Sequence, residues 1–225
     1  MEEQRKKWYL YGTGGLGVET MDILCEAISH SGNALFDCEF LDDNPTSESQ
    51  AGFAVINAKD AVAGSCVTIA VGEPYIRQKL NETLSELALH LASVISPKSH
   101  ISGLAMVGDG AIIAPFCSVQ ATARIGKNVA VNTASIIGHD VTVGDNAVLA
   151  SMVNLGGNVS VGSHAFVGMG ALVKQGVSIG ESSIVGMGSV VYSDVPDGMI
   201  ALGNPARVVR RNEHKKIFER CPNHE

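Results

Sequence analysis

The repeat that decides the fold runs from Val107 to Pro196 and reads, in blocks of six, VGDGAI, IAPFCS, VQATAR, IGKNVA, VNTASI, IGHDVT, VGDNAV, LASMVN, LGGNVS, VGSHAF, VGMGAL, VKQGVS, IGESSI, VGMGSV and VYSDVP. Every block begins with Val, Ile or Leu, and every fifth position is Ala, Val, Ser or Cys. One large and one small inward residue in each period of six is typical of a hexapeptide β-helix, whose stacked coils bury a continuous core. The alternative, a β-sandwich rich in Val and Gly, gives no reason for an unbroken period.

The period also fixes which residues become neighbours. Three faces of six residues make 18 residues per coil, so the 90 residues predict five coils, stacked roughly 4.8 Å apart. Residues 18 apart then lie above one another, which places Gly157 above His139 and Met187 above Met169. Asn132 falls on the face that precedes His139.

Composition and charge limit the functions that are open to the chain. The formal net charge is -7 and the sequence pI is about 5.5, which argues against nucleic acid as a partner. The sequence contains no apolar run of the roughly 18 to 20 residues that a membrane span needs, and its start does not resemble a secretory signal. We therefore expect a cytoplasmic protein. Five cysteines, none in a C-x-x-C pair, give no support for a thiol nucleophile.

The start of the chain predicts a Rossmann-like unit. A strand over residues 7–12 runs into the glycine-rich turn 12–17, and a helix over 18–29 follows. A second strand over 34–41 ends in Asp42 and Asp43, where such folds place a group that accepts hydrogen bonds from a ribose or a base. Together these features favour a nucleotide site; a tight turn without ligand and a solvated acidic turn are the alternatives.

The rest of the N-terminal region predicts a third strand over 66–71 and an amphipathic helix that reaches Leu91. Arg77 and Lys79, near the start of this helix, could reach a phosphate or could lie on a solvated face. We expect an α/β domain over residues 1–97, which is too short for a full dinucleotide fold and suits a mononucleotide attached to another group.

A β-helix domain is expected over residues 98–225. It includes a linker over 97–106, a segment over 197–207 that caps the last coil, and a basic tail over 210–220 that could form a short helix.

His139 is the strongest catalytic candidate. It occupies the third place of its block, near a corner, and is predicted to point outward. Asp140 can orient the imidazole or raise its basicity, and imidazole suits general-base work at neutral pH; a solvated surface histidine is the alternative. His164 is expected to lie at the surface. Two histidines do not complete a three-imidazole zinc site, so we expect no metal.

Several motifs together resemble those of a known family. YGTGGLG at 11–17, FLDD at 40–43, IAVG at 69–72, VNTASIIGHD at 131–140 and GNPAR at 203–207 are similar to the nucleotide-sugar acetyltransferases related to the sialic acid O-acetyltransferases. The N-acetyltransferases that make bacillosamine, perosamine and viosamine derivatives are the members most resembled. The resemblance implies acetyl-CoA-dependent N-acetylation of the 4-amino group of a nucleotide-linked 4-amino-4,6-dideoxy sugar, for bacterial surface glycans such as lipopolysaccharide O-antigen or glycoproteins.

The resemblance also implies a fold, an assembly and site residues. It implies a left-handed β-helix and a homotrimer that holds acetyl-CoA between subunits, with His139 as base, Asp140 as its acidic helper and Asn132 near the sugar amine. The residues implied at the nucleotide site are Gly14, Gly15, Leu16, Asp42, Asp43, Val71 and Gly72. The residues implied to contact acetyl-CoA are Gly157, Met169, Gly186 and Met187.

The sequence departs from the family pattern at Val148, where relatives often place a second histidine, nine residues after the first. Three questions stay open at this stage. UDP-, dTDP- and GDP-linked sugars are equally compatible with Asp42 and Asp43. The acceptor could instead be a sugar hydroxyl, and the chain could also be a non-catalytic β-helix that binds a nucleotide sugar.

Overall fold

The computed structural model describes residues 6–32, 36–213 and 216–217 and opens with an α/β unit. Its elements, in chain order, are β1 (Lys6–Tyr11), α1 (Gly15–Ser31), β2 (Phe36–Leu41), β3 (Ser49–Gln50), β4 (Phe53–Ile56), a 3₁₀ turn (Ala58–Asp60), β5 (Cys66–Ile69), α2 (Pro74–Glu86) and β6 (His90–Leu91). The sheet order is β3-β4-β2-β1-β5-β6, with β1 parallel to both β2 and β5. The predicted Rossmann-like start is therefore confirmed.

Two helix boundaries differ from the prediction. Helix α1 begins at Gly15 rather than residue 18, and α2 ends at Glu86 rather than continuing to Leu91. Ala88 ends the second helix because its backbone adopts a positive φ of 51°, which turns the chain back towards the sheet. Leu91 consequently lies in β6, which pairs with β5, so its helical spacing from Leu84 was misleading.

The β-helix begins at Val94 and is built from two-residue strands. They are β7 (Val94–Ile95), β8 (His100–Ile101), β9 (Met106–Val107), β10 (Ile112–Ile113), β11 (Ser118–Val119), β12 (Arg124–Ile125), β13 (Ala130–Val131), β14 (Ile136–Ile137), β15 (Thr142–Val143), β16 (Val148–Leu149), β17 (Asn154–Leu155), β18 (Ser160–Val161), β19 (Phe166–Val167), β20 (Leu172–Val173), β21 (Ser178–Ile179), β22 (Ile184–Val185) and β23 (Val190–Val191).

The strands form three parallel sheets, which we name by their first strand: the first face starts with β7, the second with β8 and the third with β9. On each face a residue pairs with the one 18 positions later, as Ile112 does with Ala130. This confirms the predicted coil length. The predicted linker over 97–106 was wrong, because β8 and β9 within it pair with β11 and β12.

The core follows the predicted pattern. The first position of every block from Ile113 to Val191, and the fifth position of every block from Ala111 to Val195, is buried.

The fourth position carries a feature that the sequence analysis did not anticipate. From Gly110 to Gly188 each residue at this position has a positive φ, so every corner of the coil contains one left-handed residue. Gly, Asn, Asp and His hold most of these positions, in keeping with their tolerance of that conformation.

A C-terminal hairpin follows the last coil. Strand β24 (Met199–Gly203) continues the first face beside β22, and β25 (Ala206–Arg211) pairs antiparallel with β24. The prediction that residues 197–207 cover the end of the coil agrees with this arrangement. Arg210 and Arg211 of the predicted tail helix lie in β25, and residues 214–215 and 218–220 lie outside the described residues.

The α/β unit packs against the first face of the β-helix. Ala70, which follows β5, joins Ile112, Ala130 and Val148 in one buried cluster. Arg77, on α2, is fully buried beside them. Its guanidinium donates hydrogen bonds to the carbonyls of Ile69 (2.7 Å) and Val71 (2.9 Å) and to the carbonyl (2.9 Å) and side-chain oxygen (2.8 Å) of Asn128.

Arg77 therefore neither reaches a phosphate nor lies on a solvated face, the two alternatives that its place in the sequence left open. Burial lowers its pKa to about 9. The guanidinium is still charged at neutral pH, because this pKa remains above 7. Lys79, two residues further along α2, is exposed, in agreement with the solvated-face alternative. The buried cation ties the loop after β5 to the second coil.

We predict that Arg77→Met lowers the free energy of unfolding by about 2–5 kcal/mol, since four oxygen acceptors lose their donor in a buried site. Chemical denaturation followed by circular dichroism measures this difference. Lys79→Met on the same helix is the matched control and should change the free energy by less than about 0.5 kcal/mol. Equal stability of the two variants would show that Arg77 does not join the two parts.

Candidate functional site

The His139–Asp140 pair lies at the corner between the second and third faces, between β14 and β15. Both side chains are half exposed, and His139 Nδ1 lies 2.8 Å from Asp140 Oδ2. Hydrogen bonds from Thr122 and then from His139 lower the pKa of the Asp140 carboxyl. Asp140 is thus an acceptor, so Nδ1 of the imidazole is the donor and Nε2 keeps its lone pair. This arrangement can remove a proton from a group placed at Nε2.

Gly157 lies directly above His139, as the coil length predicted. A Cβ atom built on Gly157 would overlap Nε2 and Cε1 of the imidazole, so no larger residue fits without moving the ring. Within the described residues the backbone N–H of Gly157 donates no hydrogen bond. The reactive nitrogen of His139 and a free N–H group therefore share one corner.

Two of the corresponding N–H groups elsewhere in the β-helix bind anionic oxygens. Lys127 and Glu181 hold the same third position of their blocks as Gly157. The N–H of Lys127 donates to Asp145 Oδ1, and the N–H of Glu181 donates to Asp197 Oδ1, both at 2.8 Å. This position can therefore hold a negatively charged oxygen, which is the property that an oxyanion-binding group needs.

The glycine-rich turn opens the N-terminus of α1 to solvent. Gly14 and Gly15 are exposed, and no atom lies within 4 Å of a Cβ built on either of them. Gly17 differs, because its Cβ would overlap the carbonyl oxygen of Gly12, so this glycine allows the helix to approach the turn. No side chain caps α1, and its first turn has no acidic residue. The free N–H groups at this helix start suit an anion such as a phosphate.

Asp42 and Asp43 lie beside this turn and already have partners. Asp42 Oδ2 accepts from the Thr13 hydroxyl at 2.8 Å, and Asp43 Oδ1 accepts from the Tyr11 hydroxyl at 2.5 Å. Burial and this bond raise the pKa of Tyr11, so the phenol stays a donor. Val71 and Gly72 follow the next strand, where the carbonyl of Val71 accepts from Arg77.

A cleft of about 240 Å³ separates α1 from the β-helix. It brings together Leu16 and Asn132, which the sequence analysis assigned to the substrate from different domains. Glu19 and Asp22 of α1 also line it and were not predicted, because nothing in the sequence shows which face of α1 meets the coils. The side-chain oxygen of Asn132 is buried and has no hydrogen-bond partner among the described residues. A donor group of a ligand could satisfy it.

The predicted site residues occupy two different corners within one chain. Asn132, Met169 and Met187 lie between the first and second faces, whereas His139 and Gly157 lie between the second and third. His139 follows Asn132 by seven residues, at the other end of one face of the coil, a distance on the order of 20 Å. One chain therefore does not bring the two groups together. At the first of these corners Met169 and Met187 are exposed, and the N–H of Gly186 donates to Ala201.

Two further residues have environments that the sequence did not reveal. Val148, at the place of the second histidine, is 2% exposed and packs beneath Ala70. His164 was expected at the surface, but its side chain is only 14% exposed and its ring stacks on Tyr75 with centroids 5.1 Å apart. The expectation of a surface position was wrong, because Tyr75 of α2 covers the His164 ring and the sequence does not show this long-range contact.

Two kinds of site are not found in the described part of the chain. No group of three or more His, Cys, Asp or Glu side chains there is placed to hold a metal ion. Neither of its α-helices has the length and apolar character that crossing a membrane requires.

Comparison with known proteins shows similarity over most of the chain. A family model described as the hexapeptide repeat of succinyl-transferase matches residues 158–193. No curated protein sequence matches. WeeI from Acinetobacter baumannii is 30% identical, with a TM-score of 0.82, and the match covers 90% of this chain and 99% of that one.

Two other solved structures have similar agreement. The acetyltransferase domain of PglB from Neisseria gonorrhoeae is 29% identical, with a TM-score of 0.83, and the match covers 91% of this chain and 100% of that one. The same domain has also been solved in complex with acetyl coenzyme A. A histidine-to-asparagine variant of perosamine N-acetyltransferase from Caulobacter crescentus, in complex with CoA and GDP-perosamine, is 27% identical with a TM-score of 0.82. That match covers 90% of this chain and 96% of the other. The predicted architecture, a Rossmann-like unit followed by a left-handed β-helix, is confirmed.

We predict that Gly157→Ala displaces the His139 ring while the fold is retained, because the added methyl group meets a side chain that can rotate. The imidazole resonances of His139 in NMR spectra should shift, and the contact with Asp140 should weaken. Gly103→Ala is the control, since no atom lies within 4 Å of its Cβ. Unchanged His139 resonances in Gly157→Ala would contradict the described packing.

Proposed function

Because this chain belongs to the nucleotide-sugar N-acetyltransferases built on a hexapeptide β-helix, we propose that it acetylates the 4-amino group of a nucleotide-linked 4-amino-4,6-dideoxy sugar. Acetyl-CoA is the acetyl donor. The observation that carries the proposal is the His139–Asp140 pair, whose Nε2 lies against Gly157, one coil above. An imidazole base beside an anion-binding N–H is what transfer from a thioester to an amine requires.

His139 acts as the general base. The sugar amine attacks the thioester carbonyl carbon, and a new C–N bond forms as Nε2 takes a proton from the amine. Asp140 accepts the hydrogen bond from Nδ1 and stabilises the imidazolium that results. The C–S bond then breaks, and CoA leaves as a thiolate that takes up a proton. Val148 is apolar and buried, so this scheme uses one imidazole.

The N–H of Gly157 stabilises the oxyanion of the tetrahedral intermediate. Support comes from Lys127 and Glu181, whose equivalent N–H groups hold carboxylate oxygens. Acetyl-CoA extends from this point along the coils, and Met169, Gly186 and Met187 of an adjacent subunit contact it, because within one chain they lie at the other corner. The complex of the PglB domain with acetyl coenzyme A supports acetyl-CoA as the ligand, because the match covers 91% of this chain.

The α/β unit binds the nucleotide. We assign the diphosphate to the open start of α1 at Gly14 and Gly15, and the base to the edge formed by Asp42 and Asp43. Val71 and Gly72 line the other side of the nucleotide. The sugar then enters the cleft between Leu16 and Asn132, where a donor group satisfies the buried oxygen of Asn132. The complex of the Caulobacter crescentus enzyme with GDP-perosamine supports a nucleotide-linked sugar as ligand.

A homotrimer would complete the site. His139 lies at one corner of the coil and Asn132 at another, so a second copy must bring its corner to the first. The corner between the first and second faces carries exposed apolar side chains suited to this contact, namely Phe116, Met152, Met169 and Met187. Ile136 and Leu172 on the second face are exposed as well.

The reaction belongs in the cytoplasm in this proposal, where acetyl-CoA is available, and its product serves bacterial surface glycans such as O-antigen or glycoproteins. The family membership and the use of nucleotide-linked sugars support this assignment.

The proposal is tested by measuring thiol release from acetyl-CoA with the purified full chain. The acceptors are UDP-, dTDP- and GDP-linked 4-amino-4,6-dideoxy sugars, each offered beside its 4-hydroxy counterpart. We expect release with at least one amino sugar and none with the hydroxy sugars. Release with hydroxy sugars alone would identify an O-acetyltransferase, and nucleotide-sugar binding without any release would identify a non-catalytic binder. Either result would refute the proposal.

His139→Ala should lower kcat by roughly 10²- to 10⁴-fold at saturating substrates, because general-base catalysis contributes about that much. His90→Ala, an exposed histidine of the α/β unit, is the control and should retain kcat. Near wild-type turnover in His139→Ala would remove this residue from the mechanism.

Leu172→Glu should convert the trimer to monomers and abolish acetyl transfer, since it places a charge on the apolar second face. Analytical ultracentrifugation measures the mass of each species. The control is Val62→Glu, which changes an exposed apolar residue of the α/β unit. A wild-type protein that sediments as a monomer, or a Leu172→Glu variant that stays trimeric, would contradict the proposed assembly.

A further inference from the structure

Thr122 contacts the carboxylate of Asp140, the residue that holds the imidazole of His139. It lies one coil below Asp140, and its hydroxyl lies within hydrogen-bond distance of two acceptors, Asp140 Oδ1 at 2.6 Å and the carbonyl oxygen of Ala121 at 2.5 Å. The other carboxylate oxygen, Oδ2, holds His139 Nδ1 at 2.8 Å. Each oxygen of Asp140 thus has its own partner, and the three side chains form a linear series from Thr122 to the imidazole.

Thr122 occupies a backbone position that does not favour it. Its φ is 61°, and among the described non-glycine residues with positive φ it is the one with a β-branched side chain. Such residues are genuine outliers in the left-handed region, whereas Asp140, with φ 59°, is of a type that tolerates it. The hydroxyl contact gives a physical reason for a threonine at this corner.

Asp140 needs an external constraint to direct its carboxylate. Its side chain is 50% exposed, and the described structure places two groups against the carboxylate, the Thr122 hydroxyl and the His139 imidazole. The hydrogen bond from Thr122 is the largest single influence that lowers the pKa of Asp140, ahead of the hydrogen bond and the charge of His139. Without it, the carboxylate could rotate away from Nδ1 into solvent.

We propose that Thr122 is a positioning residue that fixes the Asp140 carboxylate, so that His139 keeps Nδ1 bonded and Nε2 directed towards the amine that it deprotonates. The role rests on the proposed acetyl transfer, because Thr122 acts through Asp140 and does not itself meet the substrate.

The test compares Thr122→Val, which keeps the shape and the β-branch but lacks the hydroxyl, with Thr122→Ser, which restores the hydroxyl. A titration of the Asp140 carboxyl carbon by ¹³C NMR is the first readout and needs no substrate. The pKa of Asp140 should rise in Thr122→Val and stay at the wild-type value in Thr122→Ser. Thr142→Val, an exposed threonine on the third face, is the control for the loss of a surface hydroxyl.

Steady-state kinetics are the second readout. Thr122→Val should lower kcat about three- to tenfold, with KM unchanged for both substrates, as expected when one hydrogen bond to a charged group is lost at a half-exposed site. Thr122→Ser should recover the wild-type kcat.

The outcomes separate this inference from the proposed function. An unshifted carboxyl titration in Thr122→Val, or a shifted titration with an unchanged kcat, would overturn the positioning role. A wild-type chain that acetylates no amino sugar would refute the proposed function and, with it, the catalytic part of the role. The titration would still decide whether Thr122 holds Asp140.

Discussion

The parallel ladder between residues 18 apart is the constraint on which the rest of this structure depends. It stacks the large first-position side chains into one core, and it also sets each corner residue above its counterpart one coil below. Gly157 lies above His139 for this reason, and Asp140 above Thr122. The chemistry of the corner is therefore assembled from residues that are distant in sequence and held in line by main-chain hydrogen bonds.

Much of this arrangement could be predicted from the sequence. The period of six fixed the inward positions and the vertical pairing of His139 with Gly157, because a repeat turns spacing directly into geometry. The left-handed residues at the corners were missed, although the Gly, Asn, Asp and His found at the fourth position carry the signal. Once that conformation is known, Thr122 is conspicuous as a residue that does not suit its backbone.

Contacts between the two parts of the chain could not be predicted in the same way. Arg77 was expected either to reach a phosphate or to lie on a solvated face, yet it is buried against Asn128. The stacking of His164 on Tyr75 was also missed, because it depends on α2 lying along a corner of the coils. The cleft that joins Leu16 to Asn132 depends on how α1 meets the first face, and no repeat encodes that orientation. The sequence therefore predicted each part of the site better than the place where the parts meet.

The ladder has a consequence for changes in chain length. An insertion or deletion of 18 residues would add or remove one whole coil and leave the remaining corners in phase. A change of six or twelve would move every later residue to another face, and a number that is not a multiple of six would turn core residues outward. The last step along the first face, from Ile184 to Ile200, spans 16 residues, and the coil ends there in a hairpin. Length variation within the hydrogen-bonded coils therefore keeps the catalytic corner in phase only in units of one coil.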